Sequence, residues 1–323
     1  MKILIVLPNW LGDAIMATPT IESLAKIYPQ ASFTFVGSYV AIEALKHHPL
    51  CTHAIVDTTK KAKNRLLATY KLAKDLGKHD IAITFRKNLF VSLLLKFSKS
   101  TIRIGRQTWF NKLLLTSTHA FIHDQHLVKN YHQFLKTLQH PTDLGKLELH
   151  IEKKNYSKPT LGINPGATYG SAKRWYPEKF AQVAAHFAKH FDIVIFGGPT
   201  EIDMGEAIEE ELKQLGVNNY ENKAGKTSVI ELCSAIGGCD FFLTNDSGPM
   251  HIAAAFQVPT VSIFGPTRFT ETSQWMNPKS SIVRLDLECS PCMKRTCPLK
   301  HHDCMKNISA AMVIEEAEKL LQQ

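Results

Sequence analysis

A chain of 323 residues is long for one hydrophobic core, so two domains of ordinary size are expected. Its 44% hydrophobic and 21% charged residues describe a soluble globular protein, and no segment has the length and purity of a membrane span. The net charge of +9 is concentrated in the first half: residues 1–155 carry 22 Lys and Arg against 10 Asp and Glu, residues 156–323 carry 16 against 19. That half favours an anionic partner, and nucleic acid, anionic lipid and phosphorylated glycan all satisfy it.

The first apolar run, Ile3 to Leu7, reads as a strand rather than a signal peptide, because no small-residue cleavage site follows. A cytoplasmic chain is therefore expected, with its seven Cys as thiols or metal ligands instead of disulfides. The strand runs into Asn9-Trp10-Leu11-Gly12-Asp13, followed by an amphipathic helix from about Ala14 to Ile27. Asp13 stands at the strand-to-helix turn, where open α/β sheets bind ligands, although an N-cap there is also a carboxylate's ordinary use. No G-x-G-x-x-G spacing accompanies it, which weakens a dinucleotide-dependent dehydrogenase.

Further strands are expected at Ala31 to Val36, His53 to Val56 and Ile81 to Phe85, with helices at Val40 to Lys46 and Leu66 to Leu76. This alternation predicts a doubly wound domain. Lys60, Lys61, Lys63 and Arg65 follow one strand, Arg86 and Lys87 the next, and Arg103 and Arg106 come later. Such runs are usually a solvated surface, and Arg86 and Lys87 are the better anion candidates because they directly follow a strand end. A polar, lysine-rich stretch from about 140 to 160, with Pro141 and Pro159, places the domain boundary, giving domains 1–155 and 156–323.

The pattern then restarts. Strand Thr160 to Asn164 leads into Pro165-Gly166-Ala167-Thr168-Tyr169-Gly170-Ser171-Ala172-Lys173-Arg174-Trp175, before a helix from Pro177 to His190. The glycines allow close backbone approach, Thr168 offers a hydroxyl and Lys173 a point charge for phosphate, though the ending of a P-loop is missing. Strand Ile193 to Phe196 precedes Gly197-Gly198-Pro199-Thr200-Glu201 and an acidic helix from Ile202 to Leu215. Glu201 fits a ribose or sugar hydroxyl, or simply the first turn of that helix. After a short helix at Leu232 to Ile236, the run Phe241 to Leu243 is expected to close the sheet. It stops at Thr244-Asn245-Asp246-Ser247-Gly248-Pro249, a small-residue helix begins near Met250, and a further run, Thr260 to Phe264, ends at Gly265-Pro266-Thr267. Strand, polar turn, helix and strand make a βαβ unit whose turn offers backbone N–H groups to a phosphate or sugar, with Asp246, Ser247 and His251 around it; capping alone would also explain the turn.

Cys289, Cys292, Cys297 and Cys304 follow the spacing C-x2-C-x4-C-x6-C, with His301 and His302 nearby. Four thiols within sixteen residues can close on zinc, but the spacing differs from paired C-x2-C knuckles, and a compact loop of reduced thiols fits as well.

Together these segments resemble the ADP-heptose:lipopolysaccharide heptosyltransferases over essentially the whole chain. The resemblance rests on Asn9 to Asp13, on Asn164-Pro165-Gly166-Ala167 with Lys173-Arg174-Trp175, on Gly198 to Glu201, and above all on Asn245-Asp246-Ser247-Gly248-Pro249-Met250-His251. The tail, Cys289-Ser290-Pro291-Cys292 with Arg295-Thr296-Cys297-Pro298 and His301-His302, is similar to the branch that adds the second inner-core heptose, heptosyltransferase II. What this implies is an inverting glycosyltransferase of the GT-B fold: an α/β chain of two Rossmann-like, doubly wound domains facing a central cleft, the first binding acceptor and the second ADP-heptose. It implies Asp13 as general base toward the acceptor hydroxyl, Thr168 and Lys173 on the donor diphosphate, Glu201 on the ribose, and Asp246 on the donor heptose. Ser247, Gly248 and His251 would line the donor pocket. Ser247 stands where members can carry Thr, and Tyr169 departs from the hydroxyl pair of some members. Lys60, Lys61, Arg86 and Lys87 are the candidates for a phosphorylated Kdo–lipid A/heptose acceptor, met peripherally at the inner face of the inner membrane.

No cofactor and no catalytic metal are expected, since Lys173 and a helix N-terminus can stabilise the leaving diphosphate and no D-x-D triplet is present, Asp286-Leu287-Glu288 being only superficially similar. The alternatives are heptosyltransferase I, a GT-B transferase with another nucleotide donor, or a nucleic-acid-binding protein, which the absence of any recognisable motif disfavours.

Overall fold

The computed structural model describes residues 1–140 and 143–322; Pro141, one of the two prolines expected at the domain boundary, lies outside them. The chain divides into two compact units, Met1–His150 and Ile151–Gln323.

In the first unit the apolar runs become parallel strands β1 (Lys2–Val6), β2 (Ser32–Gly37), β3 (Cys51–Val56) and β4 (Ile81–Thr84), joined by β5 (Ile102–Arg106) and β6 (Ser117–His119). Their order in the sheet is β3-β2-β1-β4-β5-β6. Strands β1, β2 and β4 read as near-continuous apolar runs because helices cover both faces, and they are almost wholly buried. Arg103 and Arg106, expected among loop cations, lie instead on β5. The Arg103 guanidinium donates to the carbonyls of Leu114 and Ser100 at 3.1 and 2.6 Å, and Arg106 stacks 3.9 Å over the Phe121 ring.

The second unit repeats the arrangement with β7 (Thr160–Asn164), β8 (Asp192–Ile195), β9 (Tyr220–Asn222), β10 (Phe241–Asn245), β11 (Thr260–Ile263) and β12 (Ser280–Val283), ordered β12-β11-β10-β7-β8-β9. The run expected to close this sheet is at its middle: β10 pairs with β7 on one side and β11 on the other. Its five residues are all buried, as a central strand requires. The core on one side of the sheet joins Phe180, Val183 and Phe187 of helix Pro177–Phe187 to Val313 and Leu320 of helix Ala310–Leu321.

Counted within its own unit, each sheet has the order 3-2-1-4-5-6. The direction of winding therefore reverses between β1 and β4 in one unit and between β7 and β10 in the other. In open α/β sheets, crevices at the carboxyl ends of the strands beside such a reversal are where ligands bind. Asp13 is in the helix that follows β1, and the segments leaving β4, β7 and β10 contain Arg86, Thr168 to Lys173, and Asp246 respectively.

One helix differs from expectation in an informative way. The segment expected to be helical from Ala14 to Ile27 is two helices, Leu11–Met16 and Thr18–Ile27. Pro19 has no N–H for the Ile15 carbonyl four residues earlier; the Thr18 hydroxyl donates to it instead, at 2.7 Å. The chain turns there without leaving a buried carbonyl unpaired.

Candidate active site

The exits from β7 and β10 are tied together by asparagines. Buried Asn245, the last residue of β10, donates from Nδ2 to the Pro165 carbonyl at 2.6 Å, and its Oδ1 accepts the Trp175 N–H at 3.2 Å. Asn164, the last residue of β7, donates to the Ser247 hydroxyl at 3.4 Å. These bonds fix where the Pro165–Trp175 loop lies against the Asp246 turn. Lys173, at the end of the turn Ser171–Lys173, thereby reaches Asp246: Nζ lies 2.6 Å from Oδ2, with both side chains largely buried. The Thr267 hydroxyl donates to the same oxygen at 2.5 Å. Thr267 leaves β11, the strand beside β10, and was not singled out from the sequence; only the adjacency of the two strands puts it on the same rim.

Ser247 occupies the cap position of helix Gly248–Phe256 but makes no side-chain capping bond. Its hydroxyl turns instead to Asn164 and to Thr244 Oγ1, at 3.2 Å. The helix begins at Gly248, two residues before the expected start, with Pro249 in its first turn, where the missing N–H costs nothing. The first amides of this helix are thus not served by the residue best placed to serve them. His251 is buried on the same helix.

Glu201 is buried on the neighbouring β8 exit, and its Oε2 accepts the Gly198 N–H at 2.8 Å. Its carboxylate lies so close over Gly166 that a Cβ there would collide with it. The glycine in Asn164-Pro165-Gly166-Ala167 is therefore needed for this approach. Glu201 is the residue before helix Ile202–Gln214, yet its side chain makes no capping bond. Thr168 is exposed on the loop, and the Tyr169 hydroxyl donates to the Met293 carbonyl at 2.8 Å. The Tyr169 ring has the Lys173 ammonium and the Arg295 guanidinium each 5.3 Å from its centre.

In the first unit, Asp13 lies in the first turn of helix Leu11–Met16, whose cap residue is Trp10, so it is not an N-cap. The phenol of Tyr131 is pushed well above its ordinary range, by burial first and by the Asp13 charge second. Arg86 is buried. It donates from Nε to the Leu7 carbonyl at 2.6 Å and from Nη1 to Asp57 at 2.8 Å, while Nη2 has no hydrogen-bond partner. Lys60, Lys61 and Lys87 are exposed. Asp286, in the triplet that superficially resembles a metal motif, pairs with Arg284.

Among the described residues, one group of three potential metal ligands has its donor atoms within 4.8 Å of one another: Glu22, His48 and His150. Nε2 of His150 and of His48 lie 2.9 and 3.4 Å from Glu22 Oε1. The Leu50 N–H donates to His48 Nδ1 at 3.1 Å, which places the His48 proton on Nε2, facing the carboxylate. This is the arrangement of a hydrogen-bonded cluster, with no lone pair on His48 Nε2 for an ion. Burial raises the Glu22 carboxyl, but its bonds to His48 and His150 outweigh that and hold it below its ordinary value.

Residues 69–302 match the family described as Glycosyltransferase family 9 (heptosyltransferase). The chain belongs to that family. A lipooligosaccharide heptosyltransferase 2 of Campylobacter jejuni is 39% identical over 99% of this chain and 98% of its own length. The lipopolysaccharide heptosyltransferase 2 of Escherichia coli K12 is 26% identical over 100% and 99%. Among solved structures, E. coli ADP-heptose lps heptosyltransferase II superposes with a TM-score of 0.83 at 24% identity, covering 100% of this chain and 99% of that one. A family 9 glycosyl transferase of Veillonella parvula superposes with a TM-score of 0.84 at 25% identity over 99% and 97%. The two sheets are thus the GT-B architecture of family 9, and the chain is a glycosyltransferase.

Proposed function

We propose that the chain transfers heptose from ADP-heptose to the heptose already present on phosphorylated Kdo–lipid A, the second addition to the inner core. The carrying observation is the convergence of Lys173, Asp246 and Thr267 at the winding reversal of the second sheet. It has the composition that departure of a nucleoside diphosphate needs: a cation, helix amides, and an anchored carboxylate to hold a sugar. The whole-length relative named heptosyltransferase 2 supports the choice of sugar and of step.

In this reading Lys173, Thr168 and the amides at Gly248 bind the diphosphate and stabilise its growing negative charge as the glycosidic bond breaks. Asp246 accepts hydrogen bonds from the heptose hydroxyls. Lys173 and Thr267 both contact Oδ2, so Oδ1 is the oxygen we assign to the sugar. Glu201 accepts from the ribose, while Ser247 and His251 shape the donor pocket. Asp13 removes the proton from the acceptor hydroxyl as it attacks the anomeric carbon from the face opposite the diphosphate, inverting it. Lys60, Lys61 and Lys87 attract the acceptor's phosphates, while Arg86, buried against Asp57 and the Leu7 carbonyl, holds the exits of β1 and β4 together. No described helix is long and apolar enough to cross a membrane; we assign the chain to the cytoplasm, with peripheral contact at the inner membrane through those lysines.

The test is to incubate purified protein with ADP-heptose and Kdo–lipid A bearing zero or one heptose, and to weigh the product. A gain of one heptose only on the acceptor that already has one is expected. Gain only on the bare acceptor would make the chain a first-heptose enzyme, and preference for UDP or GDP over ADP as inhibitor would remove the donor assignment.

A further inference from the structure

The cysteine cluster of the second unit plays no part in that chemistry, yet it abuts both loops that converge on Asp246. Cys289, Cys292, Cys297 and Cys304 line one cavity of about 20 Å³, closed otherwise by Ala172 and Pro266 among others. All four are free cysteines; Cys304 is buried and the other three are partly so. Space for one small particle, bounded by four thiols, is what a four-thiolate metal site provides once its sulfurs draw in to about 2.3 Å from a common ion. No three of these sulfurs lie within 4.8 Å of one another, so a tetrahedral site would draw the loop inward.

The neighbouring histidines are already committed. His302 donates from Nε2 to the Ala172 carbonyl at 2.9 Å, which leaves Nδ1 to accept from the Tyr176 hydroxyl at 3.1 Å. His301 Nδ1 accepts the Asp303 N–H at 3.0 Å. The ligand set we assign is the four sulfurs. Four thiolates around a divalent ion leave two net negative charges, and Lys294, Arg295 and Lys300 lie within the same segment to offset them.

The segment is bonded to both loops. The Ala172 N–H donates to the Arg295 carbonyl at 3.0 Å, and Tyr169 reaches Met293. Gly170 packs so tightly on the Arg295 backbone that a Cβ there would collide with it. On the other loop, the Ser290 hydroxyl donates to the Gly265 carbonyl at 2.6 Å and the Met293 N–H to the Pro266 carbonyl at 2.8 Å. One loop carries Lys173 and the other Thr267.

We propose that Cys289, Cys292, Cys297 and Cys304 bind one thiophilic divalent metal, zinc or iron, and that this ion braces the Lys173 and Thr267 loops in the geometry that holds the donor. Binding exchanges the four thiol protons for the metal without redox change. The role of the ion is positional, and its influence on the donor rests on the assignment of Lys173 and Asp246 given above.

Full-length protein purified anaerobically, without chelator, should contain close to one equivalent of zinc or iron by elemental analysis, which also tells the two apart. After stripping, Co²⁺ alone should bind one per chain with the sulfur-to-cobalt charge transfer and strong visible bands of a tetrahedral thiolate site. Cys292→Ser and Cys297→Ser should weaken those bands, whereas Cys51→Ser, in the first unit, should leave them. Absence of thiolate charge transfer in wild-type protein, or its persistence in the Cys292→Ser/Cys297→Ser pair, overturns the site. These readouts require neither activity nor a correct donor assignment. Removing the metal should raise the Kd for ADP about tenfold, because disordered loops must then be ordered on binding. A normal cobalt spectrum with unchanged ADP affinity overturns the bracing role and leaves the metal site standing.

Discussion

The two sheets share one strand order and differ in what gathers at the reversal of winding. In the second unit Lys173, Asp246 and Thr267 meet on one oxygen, and Asn164 and Asn245 hold the loops that bring them there. In the first unit the buried cation at the equivalent place, Arg86, is bonded to Asp57 and to the β1 exit, while Lys60, Lys61 and Lys87 are exposed. The same fold thus presents one pre-ordered polar centre and one internally neutralised rim with exposed lysines around it. A small ligand of fixed shape suits the first. The proposed phosphorylated acceptor would suit the second, where long lysines can adapt to it.

Substitutions can break this comparison. Asp13→Asn should lower turnover by roughly two orders of magnitude or more with donor affinity within a few-fold, since it removes the proposed base. Near-normal turnover in a steady-state assay would remove Asp13 from the chemistry. Lys173→Ala should raise the donor KM by roughly tenfold or more and also lower stability by about 3–5 kcal/mol, because it leaves the buried Asp246 carboxylate without its partner. Adding Asp246→Asn to that variant should restore much of the melting temperature but none of the activity. Stability equal to wild type in Lys173→Ala would mean that the pair is not the organising contact.

On the softer side, the triple change of Lys60, Lys61 and Lys87 to Ala should raise acceptor KM and flatten its dependence on salt, with stability within about 0.5 kcal/mol. A fall in stability instead would show these lysines to be structural. The smallest effect is expected at Glu22. Its carboxyl is held low in the folded state, so it contributes stability that is present above the ordinary carboxylate range and lost as pH falls through the folded value. Urea midpoints of wild type and Glu22→Gln should therefore differ at pH 7 and converge below about pH 4. A gap that is independent of pH would show that packing alone matters there.

The doubly wound character was legible because β1, β2, β4, β7, β10 and β11 are apolar runs that end in polar turns. Strands β5, β6, β9 and β12 were not. β5 carries two arginines and a glycine, β9 has three residues, Tyr220, Glu221 and Asn222, and β12 opens with two serines. Edge and near-edge strands can be polar because less of their surface is buried, and pattern then says little. The position of Asp246 was readable as a turn, and Lys173 as a loop cation; their contact was not, because it depends on β7 and β10 being neighbours across 80 residues of chain. Thr267 and the Glu22, His48 and His150 cluster were unreadable for the same reason, being assembled by sheet order and by the Thr18–Ile27 helix.

The start of helix Gly248–Phe256 has a thermodynamic corollary. Its serine faces inward, so an incoming diphosphate would complete the helix's unfinished first turn instead of competing with a resident side chain. On the proposed donor assignment, occupancy and local folding would form a single linked equilibrium: at a hundred times its dissociation constant the nucleotide should add about 2.7 kcal/mol to the stability of the second unit.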